Sequence, residues 1–177
     1  LTSKCFYEPE GDEPIEPIER DSSLEHNLPL AINTSILFFD IGSHYKSETD
    51  GEKNKSSLNK VSAALIPEIL EQLNKFEKVK DYSVGVITGY TAQFREIKMH
   101  LNRKIQRSGL KNIRNWNKQE EKLTVSVVDR FQGLERDIVI VDLVKSGAGL
   151  NLGFLEVPNR INVALYRKKK LLIIVGD

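Results

Sequence analysis

The sequence predicts an α/β domain of three layers, with a mostly parallel sheet between helices, and three observations carry that expectation. Five short runs are near-continuously apolar and rich in β-branched or aromatic residues, as strands buried on both faces require. The stretches between them place apolar residues at helical spacing. Strand and helix patterns alternate along the chain, which implies parallel strands joined by right-handed crossovers.

The first run is Ser35 to Asp40. After it Leu58, Val61, Leu65, Ile69, Leu73 and Phe76 fall on one face of a helix that Pro67 is expected to interrupt and kink. Ser83 to Thr88 is the next strand, and Phe94, Ile97, Leu101 and Ile105 mark the next helix. Leu123 to Val128, Asp137 to Val144 and Leu171 to Val175 complete the strands. Before the last of them Asn159 to Lys170 reads as a helix. Pro158 suits its start, Arg160, Val163, Ala164 and Arg167 share one face, and Lys168, Lys169 and Lys170 occupy a last turn where cations complement the helix dipole. The polar segments His44 to Lys55 and Gly109 to Lys122 read as surface loops, with Trp116 either a loop anchor or a stacking residue. Residues 8 to 34 lack a clear period and read as extended or partly disordered.

A chain of 177 residues with 40% hydrophobic content can bury one core but hardly two, so a single domain is expected. The formal net charge of +1 gives no global attraction to nucleic acid. Its distribution is uneven: Glu8 to Asp21 is acidic and proline-rich, whereas Arg95 to Lys122 and Arg160 to Lys170 are basic, which favours an anionic partner on one side. The lone Cys5 cannot form an internal disulfide, and His26, His44 and His100 have no metal-ligand spacing, so no metal site is expected. An intracellular setting, nuclear or cytoplasmic, is the default, and no apolar run is long enough to span a bilayer.

Ligands of open α/β sheets collect beyond the carboxyl ends of the strands, and two loops are expected to converge there. Thr88-Gly89-Tyr90 ends one strand before a helix, and Asp129 to Glu135 follows another. Gly133 lets the backbone turn tightly or approach a ligand, while Gln132 and Glu135 can hydrogen-bond a ribose or the surroundings of an attacking water. Taken alone, the same residues read as a turn and a solvated carboxylate.

Two blocks in order make the pattern specific. Val128-Asp129-Arg130-Phe131-Gln132-Gly133-Leu134-Glu135 is followed by a buried strand pattern, then by Gly153-Phe154-Leu155, by Asn159-Arg160-Ile161-Asn162-Val163-Ala164-Leu165-Tyr166-Arg167 and by a final strand, Leu171 to Gly176. These resemble motifs V and VI of superfamily 1 RNA and DNA helicases of the up-frameshift and senataxin type. The resemblance extends upstream. Val84 to Gln93 is similar to the family's G-V-I-T-P-Y-x-x-Q segment, with Gly89 in place of proline. Ser56 to Ala63 is similar to its S-x-x-N-x-x-E-A helix start, with Ser62 in place of glutamate, and Leu1 to Glu8 resembles the stretch after its arginine-bearing Q-Y-R-M-H-P motif.

The resemblance implies a RecA-like domain of the P-loop NTPase type, the second of two. Residues 35–177 would form it and residues 1–34 would be an extended acidic segment of the same domain, with the chain cut at both ends. It also implies roles. Arg167 would be an arginine finger on the γ-phosphate of ATP, Arg160 a companion cation, Gln132 and Glu135 further catalytic groups, and Gly133 and Glu135 part of the nucleotide contact. A single strand of RNA or DNA would be gripped by the loops at Thr88 to Gln93 and Val127 to Gln132, through Thr88, Tyr90, Gln93, Ser126 and Asp129. No Walker A sequence, G-x-x-x-x-G-K-[ST], occurs in the chain. ATP and Mg²⁺ would therefore be held mainly by a first RecA-like domain of the same protein, and the chain alone would be inactive. Tyr166, Lys168, Val127 and Asn159 depart from the family pattern. They keep open a non-catalytic interaction or regulatory domain with protein regulators as partners, while the basic stretches keep open a stand-alone nucleic-acid-binding module.

Overall fold

A computed structural model describes residues 35–42, 48–49, 56–76, 78–108, 122–145, 153 and 158–176. The acidic segment 1–34, most of the first polar loop, the second loop with Trp116, and Phe154 and Leu155 lie outside the described residues.

The strands are β1 (Ile36–Asp40), β2 (Glu48–Thr49), β3 (Ser57–Leu58), β4 (Val84–Thr88), β5 (Leu123–Val127), β6 (Arg136–Asp142) and β7 (Lys168–Gly176). The helices are α1 (Lys60–Asn74), α2 (Thr91–Ser108) and α3 (Pro158–Leu165). Five strands form one sheet in the order β1-β7-β6-β4-β5, and every pairing in it is parallel. β2 and β3 make a separate antiparallel pair.

Alternation along the strands sends side chains to two faces, and each face is covered. Val84, Val86, Ile138, Ile140, Leu171 and Ile173 meet Ile66, Leu70 and Leu73 of α1 and Ile97 and Leu101 of α2. On the other face Ile87, Val139, Val141 and Leu172 meet Ala164 of α3 together with Val128 and Phe131. Helices therefore lie on both sides of a parallel sheet, as the three-layer expectation requires.

Three details differ from the sequence reading. The buried face of α1 is Ser62, Ala63, Ile66, Pro67, Ile69, Leu70 and Leu73, while Val61 is exposed and Leu58 belongs to β3. The helix runs unbroken across Pro67. Lys168, Lys169 and Lys170 are not a last helical turn but the start of β7. The Arg136 N–H donates to the Arg167 carbonyl at 3.0 Å, and Lys168 pairs with Arg136, so ladder bonding has replaced the helix by that point. Each lysine finds a strand-compatible role: Lys170 Nζ lies 5.1 Å from the centre of the Tyr82 ring, Lys169 lies beside Glu135, and Lys168 is half-buried.

Candidate functional site

The direction of the connections reverses between β4 and β6. β4 leads through α2 to the edge strand β5 on one face of the sheet, whereas β6 leads through α3 to β7 on the other. Adjacent strands whose connections part in this way leave a crevice at their carboxyl ends, the usual ligand position in open α/β sheets. Thr88 and Asp142 pair across that point.

Beneath the crevice is a polar network that joins four elements. Asp142 ends β6 wholly buried; its Oδ2 accepts from Gln93 Nε2 at 2.5 Å and from Ser62 Oγ at 3.1 Å, and its Oδ1 accepts from the Val144 N–H at 3.0 Å. Gln93, in the first turn of α2, also accepts from the Asn59 N–H at 2.7 Å and donates to the Asn59 carbonyl at 3.0 Å. Asn59 caps α1, its Oδ1 accepting from the N–H groups of Val61 and Ser62 at 3.0 and 3.2 Å. Ser56 does the same for α2, accepting from the Ala92 N–H at 3.0 Å. Burial pushes the Asp142 carboxyl up to about 6, against the opposing pull of the hydrogen bonds from Gln93, Ser62 and the Val144 N–H. Val144 has φ 67, a left-handed conformation that is strained for a β-branched residue. The Asn59 side chain donates to its carbonyl at 3.4 Å.

The residues expected to grip a strand have distinct placements. Gln93 and Thr88 are fully buried, Tyr90 is buried, and Ser126 is buried with its hydroxyl donating to the Val127 carbonyl at 3.2 Å. Asp129 is exposed, and its Oδ1 lies 3.3 Å from Arg160 Nε. Gly153 has φ 54, and an added Cβ there would run into the Tyr90 hydroxyl and the Lys145 side chain, so the chain passes close over the crevice at that residue.

The expectation that both loops meet on one edge needs correction. Val128–Arg130, a single 3₁₀ turn, lies at the carboxyl edge beside Val127. The chain then crosses the sheet face through Phe131, whose ring lies over Gly85, and reaches Glu135 at the start of β6. β6 is seven residues long, so its two ends are about 20 Å apart. Glu135 therefore sits at the amino edge, 3.9 Å from Lys169 and next to the Arg136–Lys168 pair. Arg167 lies there too, in the turn between α3 and β7, partly buried, with an Nε that has no hydrogen-bond partner among the described residues. Gln132 and Gly133 are exposed on the crossing segment, and Gly133 has φ 83 with nothing within 4 Å of an added Cβ.

The site residues thus divide into two groups. Thr88, Tyr90, Gln93, Ser126, Asp129 and Arg160 belong to the carboxyl side; Glu135 and Arg167 belong to the amino side. The expectation that Arg160 shares a helical face with Arg167 as its companion at the nucleotide needs correction, because α3 ends at Leu165, before Arg167, and Arg160, near its start, stands beside Asp129. The sequence reading missed Asp142 and the Asn59–Ser62 corner. Its signal was an ionisable residue at the end of the wholly apolar run Ile138 to Val141. Among the described residues no three side chains of metal-ligating type come together.

Residues 1–177 match the family described as AAA domain. The chain is 30% identical over 178 residues to the regulator of nonsense transcripts 1 homolog of Neurospora crassa, covering 99% of this chain and 15% of that protein. It is 31% identical over 176 residues to the helicase sen1 of Schizosaccharomyces pombe, covering 99% and 10%. With the DNA polymerase alpha-associated DNA helicase A of Saccharomyces cerevisiae it shares 30% over 144 residues, covering 80% and 19%. The chain belongs to the AAA domain family and, within it, to the superfamily 1 helicases of the up-frameshift and senataxin type. It spans less than a fifth of the length of each of these three relatives. No helix among the described residues is long and apolar enough to cross a membrane.

Proposed function

We propose that the chain is the second RecA-like motor domain of an ATP-dependent helicase. In this reading its amino-edge group completes an ATP site on a first domain of the same protein, while its carboxyl-edge group holds a single strand of RNA or DNA. The observation that carries the reading is Arg167: a partly buried arginine at the amino edge, whose carbonyl accepts from the N–H of Arg136, the residue after Glu135. Arginine is always charged and its terminal nitrogens present a fork that matches phosphate oxygens, so a phosphate is the kind of partner this guanidinium would take. Glu135 would accept from a ribose hydroxyl, with Gln132 and Gly133 shaping the approach. Mg²⁺ and the phosphate cradle would come from the first domain, which would supply the Walker A lysine, hydroxyl and carboxylate that ATP hydrolysis requires.

On the strand side Thr88, Tyr90, Gln93 and Ser126 would act by fixing the loops, since they are buried. Direct contact would fall to Asp129 with Arg160 and to the backbone. Buried hydrogen bonds that lock those loops are the kind of support a binding site needs.

Arg167→Ala in a protein carrying both motor domains tests the proposal. A finger stabilises charge that develops in the transition state, so kcat should fall by roughly three to five orders of magnitude with little change in ATP binding. Arg167→Lys should restore only part of the rate. Wild-type turnover from folded Arg167→Ala protein would reject the finger. Tyr166 beside it is 54% exposed, which suits a regulatory contact surface instead. Absence of ATPase from the unsubstituted protein would select that reading. Stimulation by RNA compared with DNA decides the nucleic-acid class.

A further inference from the structure

The resembled helix start carries glutamate at the position of Ser62, and a buried carboxylate is nevertheless present at that corner, donated by another element. Asn59 is the N-cap of α1 and Ser62 its third residue, so the pattern N-x-x-E is that of a capping box. In a capping box the glutamate would accept from the Asn59 N–H. Here Gln93 Oε1 takes that N–H at 2.7 Å. Gln93 Nε2 in turn donates to Asp142 Oδ2 at 2.5 Å, and Ser62 Oγ lies 3.1 Å from the same oxygen. A glutamate side chain reaches two bonds farther than a serine hydroxyl, so a carboxylate at 62 would enter the space that the Asp142 carboxylate fills.

We infer that this corner has room for a single buried carboxylate, supplied by Asp142 at the carboxyl end of β6 with the small Ser62 beside it, and that Asp142 acts through Gln93 as the positioning residue of the Thr88–Tyr90 loop. The first half stands on the packing alone; the second rests on the proposed function of that loop in holding a strand. The geometry supports both. Gln93 is two residues beyond Thr91, where α2 begins, and its side chain is clamped between Asn59 and Asp142. The start of α2, and with it the turn Gly89-Tyr90, is thereby tied to β6 through this carboxylate, beside the Thr88–Asp142 strand pairing and the Ser56 bond to the Ala92 N–H. Asp142 Oδ1 holds the strained Val144 on the other side of the crevice. One carboxylate therefore bonds to both loops that open from the crevice.

A reciprocal exchange tests it. Ser62→Glu alone puts two carboxylates into one buried corner, and Asp142→Ser alone removes the carboxylate that accepts from the Val144 N–H and leaves the Gln93 amide nitrogen and the Ser62 hydroxyl only their bonds to each other and to the Asn59 carbonyl. Each single change should lower the melting temperature by about 5–10 °C. The double variant should recover more than half of that loss, because one carboxylate is again present. Should either single variant not fold, Asp142→Asn, which keeps the shape, replaces Asp142→Ser in the same exchange. Losses that simply add in the double variant would overturn the single-carboxylate corner.

The positioning role is read from the ATPase of the protein with both motor domains, titrated with single-stranded oligonucleotide. Asp142→Ser should raise the half-saturating oligonucleotide concentration more than about tenfold while changing kcat less than about twofold, and the double variant should reverse the rise. An unchanged half-saturating concentration in a variant of lowered melting temperature would overturn positioning, because a purely structural role predicts that result. If the unsubstituted protein shows no response to any oligonucleotide, the strand-holding reading and the positioning role fall together, and the melting exchange still decides whether the corner holds a single carboxylate.

Discussion

Arg160 Nε stands 3.3 Å from Asp129 Oδ1, and this contact ties the start of α3 to the turn that ends β5. The two residues come from the two sequence blocks that identified the family, so those blocks meet in space. Both side chains are substantially exposed, at 33% and 60%, and exposed pairs contribute roughly 0.2–1 kcal/mol. Arg160→Ala and Asp129→Ala should each shift the melting temperature by no more than about 4 °C, with a coupling below 1 kcal/mol in the double-mutant cycle. A coupling of 2 kcal/mol or more would mean that the pair is structural, and would remove both residues from the candidate contact surface.

Asp142 predicts a pH dependence of unusual sign. Its carboxyl is pushed up to about 6 in the folded protein by burial, against 3.8 for the ordinary group. The folded state then holds the proton more tightly than the unfolded chain. As pH rises from about 4 to about 6 the unfolded chain releases its proton first, so this group's contribution to stability falls and is lowest above 6. The difference amounts to about 3 kcal/mol at neutral pH. Asp142→Asn has no such proton to lose, so its melting temperature relative to the unsubstituted protein should improve by about 5–10 °C between pH 4 and pH 7.5. A difference between the two proteins that stays constant over that range would show that the carboxyl titrates normally.

The strands were legible because each interior strand must be apolar on both faces, and Ile138 to Val141 or Leu171 to Val175 can be little else. The face of α1 was misread for a physical reason. Its buried set includes Ser62, Ala63 and Pro67, which apolar periodicity does not count, while exposed Val61 and the strand residue Leu58 were counted. Lys168 to Lys170 suggested a helix end because cations suit one, yet an amphipathic side chain also tolerates a strand when its stem packs and its charge reaches Tyr82 or Glu135. Sequence placed Asp129 and Glu135 six positions apart but could not show that the segment between them crosses the sheet. That depends on β6 lying parallel to β5 with β4 between them.

Two glycines make opposite predictions about rescue. A Cβ at Gly85 would lie 2.5 Å from Phe131 Cζ, and Phe131 is fully buried, so the ring has nowhere to go. Gly85→Ala should cost about 1–3 kcal/mol by overpacking, and Phe131→Leu should recover part of the loss. At Gly133 an added Cβ meets nothing within 4 Å, but φ is 83, so Gly133→Ala should cost about 1–2 kcal/mol through backbone strain alone. Gly133→Asn should cost less, because asparagine tolerates the left-handed region better. Thermal melts of the four single variants and of the two double variants that join Phe131→Leu to Gly85→Ala or to Gly133→Ala suffice. Rescue of Gly133→Ala by Phe131→Leu, or none for Gly85→Ala, would contradict the packing described here.

Binding of nucleic acid by this chain alone should be weak, indifferent to sequence and strongly dependent on salt. The acceptor-rich network under the crevice is buried and cannot read bases, so an approaching strand meets the backbone and a few cations: Arg130 and Arg160 beside Asp129, and Lys145 beside Gly153. Each neutralised phosphate on a single strand contributes about 0.7 to the slope of log affinity against log salt. Three cations give a slope of roughly −2, hence about a 16-fold loss of affinity between 50 and 200 mM salt. Arg160→Ala should reduce the slope by about 0.7 and weaken binding to every sequence alike. A single strand should bind better than duplex, because unstacked bases can settle against the loops while a duplex offers only its phosphates. Affinity that survives the salt titration unchanged, or a preference for duplex, would show that this edge of the sheet is not the surface on which a strand is held.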